Sequence, residues 1–234
     1  MKVVIFCGGA GTRLKEMTED LPKPLIQVGG KPVLWHIMKV YQARGFNEFV
    51  LCLGYKGDKI KEYFEKNPEN EFKIDFVNTG DATTPKSERL QKIKEYITEE
   101  NFLLAYGDDL SDVDINEVIK NHTESKNTVT ITVINPRSDF GVVKIDDANK
   151  VTGFEEKPRL KNAWISGGYA VVNKDIFNYL SLGELENEVY KKLVEENKLG
   201  VFKHEGFWKT MNTFKDHCEL EEMWKNNDVP WRIK

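Results

Sequence analysis

Residues 1–25, MKVVIFCGGAGTRLKEMTEDLPKPL, decide the fold class of this 234-residue chain and its candidate site. Residues 2–6 (KVVIF) form a short β-branched and apolar run, the pattern of a buried strand. A loop with almost no side-chain bulk follows at once, residues 8–13 (GGAGTR). Glycines let backbone N–H groups approach an anion without a Cβ in the way. The stretch therefore predicts an anion-binding loop at the end of the first strand.

Two cations strengthen this prediction. Arg13 offers a planar fork to phosphate oxygens and Lys23 a point charge, and the flanking prolines predict an extended segment around Lys23. The alternative is a tight turn with a surface lysine. A P-loop is excluded because no Gly-Lys-Ser/Thr follows, and a dinucleotide fingerprint is excluded because position 14 is Leu. The combination favours a triphosphate site.

Composition limits the class of protein. A length of 234 residues predicts one α/β domain, and a hydrophobic content of 40% is enough for a real core. A net charge of −4 argues against nucleic acid as a partner. No apolar run approaches 18 residues and no charged-then-apolar leader opens the chain, so we expect neither a membrane span nor export, and a cytoplasmic location. Cys7, Cys52 and Cys218 are expected to be free thiols.

The first third alternates strands and helices. Apolar runs at 48–53 and 72–77 are separated by helical patterns at 33–44 and 56–64, which predicts a parallel sheet. Ligands of such sheets lie at the carboxyl ends of the strands. Thr79 and Arg89, after the third strand, are candidates for nucleotide contact, or else turn and helix-surface residues.

A fourth strand, residues 101–106, ends on Gly107-Asp108-Asp109. Carboxylates at a strand end suit Mg²⁺, which is usually held by one or two carboxylates plus substrate phosphates. The alternative is an Asx-turn into the helix predicted at 115–122. We favour the metal for Asp108 and place less weight on Asp109.

Residues 87–97 predict a further helix, and the second half predicts a strand at 128–134, a hairpin at 140–145 and 150–154, and a strand at 163–172. Gly167-Gly168 within the last strand predict a bulge or a close approach by a ligand, and helices are predicted at 184–196 and 213–224. Lys157 beside a proline could bind an acceptor phosphate and Glu156 its hydroxyls, unless Lys157 is simply solvated. The C-terminal aromatic residues indicate either a subunit contact, hence a homo-oligomer, or a helix packed on its own domain. These are Phe207, Trp208, Trp224 and Trp231.

Residues 8–14 (GGAGTRL) and 22–24 (PKP) resemble the signature of the sugar-1-phosphate nucleotidyltransferases. Further segments are similar, in the same order, to glucose-1-phosphate cytidylyltransferases: residues 31–39, 54–57, 61–64, 79–81, 106–108, 156–158, 167–168 and 207–208. The resemblance implies a Rossmann-like three-layer α/β fold with a mostly parallel mixed sheet and a small β-hairpin region. It also implies one domain, residues 1–234, with a nucleotide-binding half (1–134) and an acceptor-binding half with C-terminal helices (135–234).

The same resemblance assigns roles. Arg13, Lys23 and Asp108 would be catalytic, with Asp108 on Mg²⁺. The nucleotide-binding set is Gly8, Gly9, Ala10, Gly11, Thr12, Arg13, Lys23, Thr79, Arg89 and Gly107. The acceptor-binding set is Gly141, Glu156, Lys157 and Gly168. The implied reaction is attack of an acceptor phosphate, such as glucose 1-phosphate, on the α-phosphorus of CTP, making a precursor of a surface or capsule polysaccharide.

Two departures leave alternatives open. The family usually has Met-Asp-Thr where this chain has Met211-Asn212-Thr213, so Asn212 is expected to be a weak metal ligand or a helix cap. The segment between Phe64 and Thr79 is also shortened. The alternatives are a cytidylyltransferase acting on phosphoglutamine for capsule phosphoramidate, a non-catalytic nucleotide-binding regulatory subunit, and an enzyme that uses GTP, UTP or dTTP.

Overall fold

A seven-stranded sheet draws its strands from both halves of the chain. The computed structural model describes residues 1–9, 14, 20–69, 71–160 and 163–233. The strands are β1 Val3–Phe6, β2 Gln27–Val28, β3 Lys31–Pro32, β4 Glu48–Leu53, β5 Lys73–Asn78, β6 Asn101–Tyr106, β7 Asp109–Ser111, β8 Val129–Ile134, β9 Val142–Ile145, β10 Val151–Glu155, β11 Ile165–Asn173, β12 Leu199–His204 and β13 Trp208–Thr210. The α-helices are α1 Val33–Gln42, α2 Gly57–Lys66, α3 Lys86–Lys92, α4 Ile115–Ser125, α5 Tyr190–Glu195 and α6 Phe214–Lys225.

The strand order in the large sheet is β12-β8-β11-β6-β1-β4-β5. β1 pairs in parallel with β4 and β6, β4 with β5, and β8 with β12. β11 runs antiparallel to both of its neighbours, β6 and β8. The sheet is therefore mostly parallel and mixed, as the sequence predicted.

Helices cover both faces of the large sheet. The central strands are therefore buried on both sides, which explains why their sequences are continuous apolar runs. All four residues of β1 are buried. One core packs α1, α2, α4 and α6 against the sheet, with members such as Ile37, Ile60 and Leu220. The other core packs α3 and α5 against the opposite face, with members such as Leu90 and Leu193. This confirms the predicted three-layer α/β fold.

Several boundaries differ from the predictions. The helix expected at 87–97 is α3 followed by a separate 3₁₀ turn, Lys94–Tyr96. The helix expected at 184–196 begins as a π-helical turn, Leu185–Val189, before α5. The edge strand β12 and the short ladder of β7 with β13 were not predicted. β12 is only half buried and β13 has three residues, so neither carries a strong periodic signal.

The predicted hairpin is confirmed as the antiparallel pair of β9 and β10, which forms a sheet of its own. It lies outside both cores, because its large apolar side chains are exposed to solvent. These are Phe140, Val143, Ile145, Val151 and Phe154.

The C-terminal aromatic residues pack on their own domain. Trp231 is buried, with its ring centre 5.3 Å from that of Phe207, and Trp224 lies 5.2 Å from His36. They therefore give no support to a subunit contact. His36 is a buried histidine of α1, and its Nε2 donates to the Val28 carbonyl at 2.8 Å.

Cys7 and Cys52 are buried free thiols, and Cys218 is free and exposed. Burial raises the pKa of Cys52 to about 12. Within the described ranges, none of the helices is both long enough and apolar enough to span a bilayer.

Candidate active site

The parallel strands β1, β4, β5 and β6 end at one edge of the sheet, and a cavity of about 270 Å³ opens there. We call it the first cavity. Its described lining is Phe6, Cys7, Gly8, Gly9, Lys23, Pro24, Ala82, Thr84, Lys86, Arg89, Tyr106, Gly107 and Asp108. The predicted residues Ala10, Gly11, Thr12 and Arg13 lie outside the described residues. The structure thus brings Gly8, Gly9, Lys23, Arg89, Gly107 and Asp108 together around one space.

Arg89 ties the strand ends together behind this cavity. Its guanidinium donates to the carbonyls of Leu53 and Gly8, both at 3.3 Å, and to the hydroxyl of Thr79 at 2.9 Å. It also donates to the carbonyls of Thr84 and Asp81. Arg89 is 4% exposed, so its donors are largely consumed inside the protein.

Thr79 is fully buried, and its hydroxyl donates to the Leu53 carbonyl at 2.7 Å. Both residues therefore shape the cavity wall, and direct nucleotide contact by either stays a prediction. Position 8 requires a residue without a Cβ, because a Cβ there would collide with the Arg89 guanidinium. Gly107 is similarly confined, because a Cβ added there would lie 3.0 Å from the Phe6 carbonyl oxygen.

Lys23 joins two oxygen-bearing side chains from distant parts of the chain. Its ammonium donates to the Asp108 carboxylate and, at 2.6 Å, to Oδ1 of Asn212. Lys23 does not lie in an extended segment as predicted. It begins a single 3₁₀ turn, Lys23–Leu25, in which the N–H of Leu25 donates to the Pro22 carbonyl. A proline can start a helical turn because its missing N–H needs no partner there.

The antiparallel pair of β7 and β13 carries Asn212 to Asp108. The N–H of Met211 donates to the Asp108 carbonyl at 2.9 Å. Asn212 does not cap α6, as one alternative expected, because Thr213 is the N-cap and forms a capping box with Asp216. Asp216 also accepts the N–H of Asn212 at 3.1 Å, which fixes the backbone that carries this side chain.

A second cavity of about 310 Å³ lies beside the first and shares Asp108 with it. Its described lining is Lys86, Tyr106, Asp108, Asp109, Ser166, Gly168, Glu186, Trp208, Thr210 and Asn212. Asp109 is buried, and burial together with the charge of Asp108 raises the pKa of its carboxyl well above 3.8. The roles of Asp108 and Asp109 at a metal ion stay predictions.

Gly168 is the predicted acceptor residue that reaches this second cavity. It has a φ of +81°, a conformation that favours glycine, and a Cβ there would overlap the Asp109 carboxylate. The glycine was predicted as a bulge or a close approach, and the register between β11 and β8 does shift between Ser166 and Ala170.

Gly141, Glu156 and Lys157 lie at the hairpin instead. Among the described residues that line the two cavities, none of the three is present. Lys157 is 56% exposed and its ammonium lies 3.8 Å from the Glu156 carboxylate. Their role with the acceptor stays a prediction.

Two charged residues among the described lining of the cavities were missed by the sequence analysis. Lys86 and Glu186 form an ion pair across the second cavity, and the Tyr106 hydroxyl donates to Glu186 at 2.7 Å. Burial would raise the pKa of Glu186, but hydrogen bonds from Lys86 and Tyr106 outweigh it and lower the pKa. Pro85-Lys86 repeats the proline–lysine pattern of Lys23, which is the signal that could have identified Lys86.

Comparisons with known proteins agree with this geometry. The family model described as "Nucleotidyl transferase" matches residues 2–225. A probable glucose-1-phosphate cytidylyltransferase of Bacillus subtilis is 39% identical over 100% of both chains. The glucose-1-phosphate cytidylyltransferase of Salmonella typhi is 37% identical over 99% of each chain.

Among solved structures, HddC from Yersinia pseudotuberculosis complexed with GMP-PN superposes with a TM-score of 0.71. It is 25% identical to this chain, and the match covers 95% of this chain and 99% of that one. Together with the strand-end cavities, these matches confirm that the chain belongs to the nucleotidyl transferase family and is a nucleotidyltransferase enzyme related to the sugar-1-phosphate branch.

Proposed function

We propose that this protein transfers CMP from CTP to a sugar 1-phosphate and releases pyrophosphate. The observation that carries the proposal is the cluster of Lys23, Asp108 and Asn212, in which Lys23 lines the first cavity, Asn212 lines the second and Asp108 lines both. Support for the base and the acceptor comes from the Bacillus subtilis and Salmonella typhi relatives, whose names specify glucose 1-phosphate and cytidylyl transfer.

The oxygen atoms of the cluster fit Mg²⁺. Asp108 and Asn212 direct a carboxylate and an amide oxygen to one point, now shared by the Lys23 ammonium. The described residues contain no group of three or more His, Cys, Asp or Glu side chains that could hold a metal ion, so substrate phosphates and water would complete the set. When bound there, Mg²⁺ would neutralise phosphate charge.

The chain's own groups position the reactants. Gly9 leaves room for the nucleotide at the end of β1, Gly8 makes room for the Arg89 guanidinium behind it, and Lys23 supplies positive charge beside it. An oxygen of the acceptor phosphate forms a bond to the α-phosphorus, while the bond to the bridging oxygen breaks. Pyrophosphate leaves with that electron pair, so no oxidant, reductant or covalent enzyme intermediate is needed.

A test measures pyrophosphate release with Mg²⁺, each of CTP, GTP, UTP and dTTP, and a panel of acceptors that includes glucose 1-phosphate and phosphoglutamine. CTP with glucose 1-phosphate is expected to give the highest kcat/KM. GTP is the main rival base, because HddC is described with GMP-PN bound. Tight CTP binding with no turnover across the panel would instead support a regulatory subunit.

The Asp108→Asn variant tests the proposed metal site in the same assay. It keeps the side-chain size but removes the charge, so turnover is expected to fall by about a thousandfold or more while the fold persists. Thermal unfolding would verify the fold. Retained turnover would remove Asp108 from the metal site.

We also propose that the protein forms a homo-oligomer through the hairpin of β9 and β10. Its exposed apolar side chains, such as Phe140, Ile145 and Val151, make a patch that a second copy could cover. Light scattering during size-exclusion chromatography tests this. A monomer at all protein concentrations would reject it. A role in surface or capsule polysaccharide synthesis and a cytoplasmic location stay predictions.

A further inference from the structure

A lysine with no assigned role stands between the two cavities. Lys86 begins α3 directly after Pro85 and lines both spaces. Its ammonium donates to the Glu186 carboxylate and lies 4.7 Å from the centre of the Tyr106 ring. The same Glu186 oxygen accepts the Tyr106 hydroxyl. The head group is therefore held at the junction, while the side chain stays 38% exposed.

The second cavity is acidic. Three carboxyl groups line it, those of Asp108, Asp109 and Glu186. Lys86 is the sole cation among its described lining residues. A phosphate group that enters beside carboxylates is repelled unless a cation lies close to it, because like charges in close contact repel each other strongly.

The other described cations of the first cavity are already committed to protein atoms. Lys23 is 13% exposed and donates to both Asp108 and Asn212. The Arg89 donors go to carbonyls and to one hydroxyl. Lys86 differs in its exposure, because its side chain is 38% exposed against 13% for Lys23, and it lines both cavities while it pairs with a single carboxylate. A phosphate can therefore share or replace that partner.

We propose that Lys86 binds the acceptor phosphate next to the α-phosphate of the nucleotide, as a further catalytic residue. The inference rests on the proposed function. Two anionic groups must meet for the transfer to occur, and an ammonium at the junction of the two cavities lowers their repulsion. Glu186 and Tyr106 act as positioning residues that keep the ammonium there before the acceptor arrives.

The test compares Lys86→Met with Lys94→Met, a matched control that removes one exposed charge just after α3 and outside both cavities. Lys86→Met is expected to raise the acceptor KM, or lower kcat/KM for the acceptor, by about tenfold or more. The KM for CTP is expected to stay within about threefold. Lys86→Arg keeps the charge and should recover most of the loss, and Lys94→Met should match the wild type.

The separate KM values distinguish phosphate binding from a structural role, which would move both KM values and the melting temperature together. Acceptor kcat/KM within twofold of the wild type in Lys86→Met overturns the proposal, and so does an equal rise in both KM values. Should Lys86→Met not fold, Lys86→Gln replaces it under the same criteria.

Failure of the proposed function would show differently, as a wild type that releases no pyrophosphate with any pair of substrates. Inorganic phosphate then serves as the probe, with binding measured by calorimetry. If Lys86 binds phosphate, inorganic phosphate is expected to bind about tenfold more weakly to Lys86→Met than to the wild type and to Lys94→Met. Equal affinities, or no phosphate binding by the wild type, would overturn it.

Discussion

The end of the parallel sheet and the β9–β10 hairpin were both predicted to bind phosphate, yet they are built differently. At the sheet end, Arg89 is 4% exposed and bonds groups from three strand ends. At the hairpin, Lys157 is 56% exposed and has a carboxylate neighbour at 3.8 Å. The difference teaches that the side chains of the first region are held in place by the protein before substrate arrives, whereas Lys157 at the second is exposed and has few protein partners.

The strongest way to break this comparison is Arg89→Met. The Gly8 carbonyl would lose its Arg89 donor, and the Leu53 carbonyl and the Thr79 hydroxyl would each lose one of their partners, so we expect the free energy of unfolding to fall by about 3 kcal/mol or more. Chemical denaturation measures it, and Arg89→Lys, which keeps the charge but not the fork, should be intermediate. A loss under about 1 kcal/mol would mean that Arg89 does not organise the strand ends.

A smaller effect is expected from Gly168→Ala. The position has a φ of +81°, and its Cβ would lie 2.7 Å from Cδ2 of Tyr106, so the variant should lose about 1–3 kcal/mol of unfolding free energy. Gly153→Ala in the hairpin is the control. Its Cβ would meet a flexible lysine side chain at 3.3 Å, and a change within about 0.5 kcal/mol is expected. Equal losses of unfolding free energy in Gly168→Ala and Gly153→Ala would contradict the difference between the sheet end and the hairpin.

Asp216→Asn sharpens the comparison through pH. Burial would raise the pKa of Asp216, but hydrogen bonds from Thr213 and the charge of Lys209 outweigh it and lower the pKa from 3.8. A carboxyl group whose pKa is lowered in the folded state stabilises the fold at pH values above its unfolded-state pKa. This stabilisation is lost as the pH falls through the folded-state pKa. The variant should therefore lose about 1 kcal/mol at neutral pH, with the gap to wild type closing below about pH 3.8.

Denaturation at several pH values checks this. A gap that stayed constant down to pH 3 would show that the loss comes from side-chain shape and not from charge. Because Asp216 also accepts the N–H of Asn212, the variant is expected to weaken activity as well.

The smallest change in stability is expected for Lys157→Met. An exposed lysine contributes little, so the free energy of unfolding should stay within about 0.5 kcal/mol of the wild type. If the hairpin closes on the acceptor phosphate, the acceptor KM should rise while the KM for CTP stays constant. Lys144→Met on the same hairpin is the control. Unchanged acceptor kinetics would leave Lys157 a solvated lysine.

Local pattern was enough for the sheet and for part of the site. The apolar runs of β1, β4 and β6 and the residues directly after them were identified, because a buried parallel strand has a strong signal and its carboxyl end must face the ligand edge. Gly8 and Asp108, which follow β1 and β6, line the first cavity together with Lys23, and their roles with substrate and metal stay predictions. β12 and the β7–β13 pair were missed, because an edge strand and three-residue strands have little periodicity.

By itself, the sequence determined the α/β class, the order of the central elements and the residue types that meet at the strand ends. Only the tertiary structure decided that Asn212 reaches Asp108 through Lys23, that Arg89 serves the backbone, and that Lys86 faces Glu186. The physical reason is distance along the chain. Strand and helix patterns repeat over a few residues. The contacts of Asn212 with Lys23, of Lys86 with Glu186, and of Arg89 with the Leu53 and Gly8 carbonyls join positions 36 to 189 residues apart and exist only once the sheet has formed.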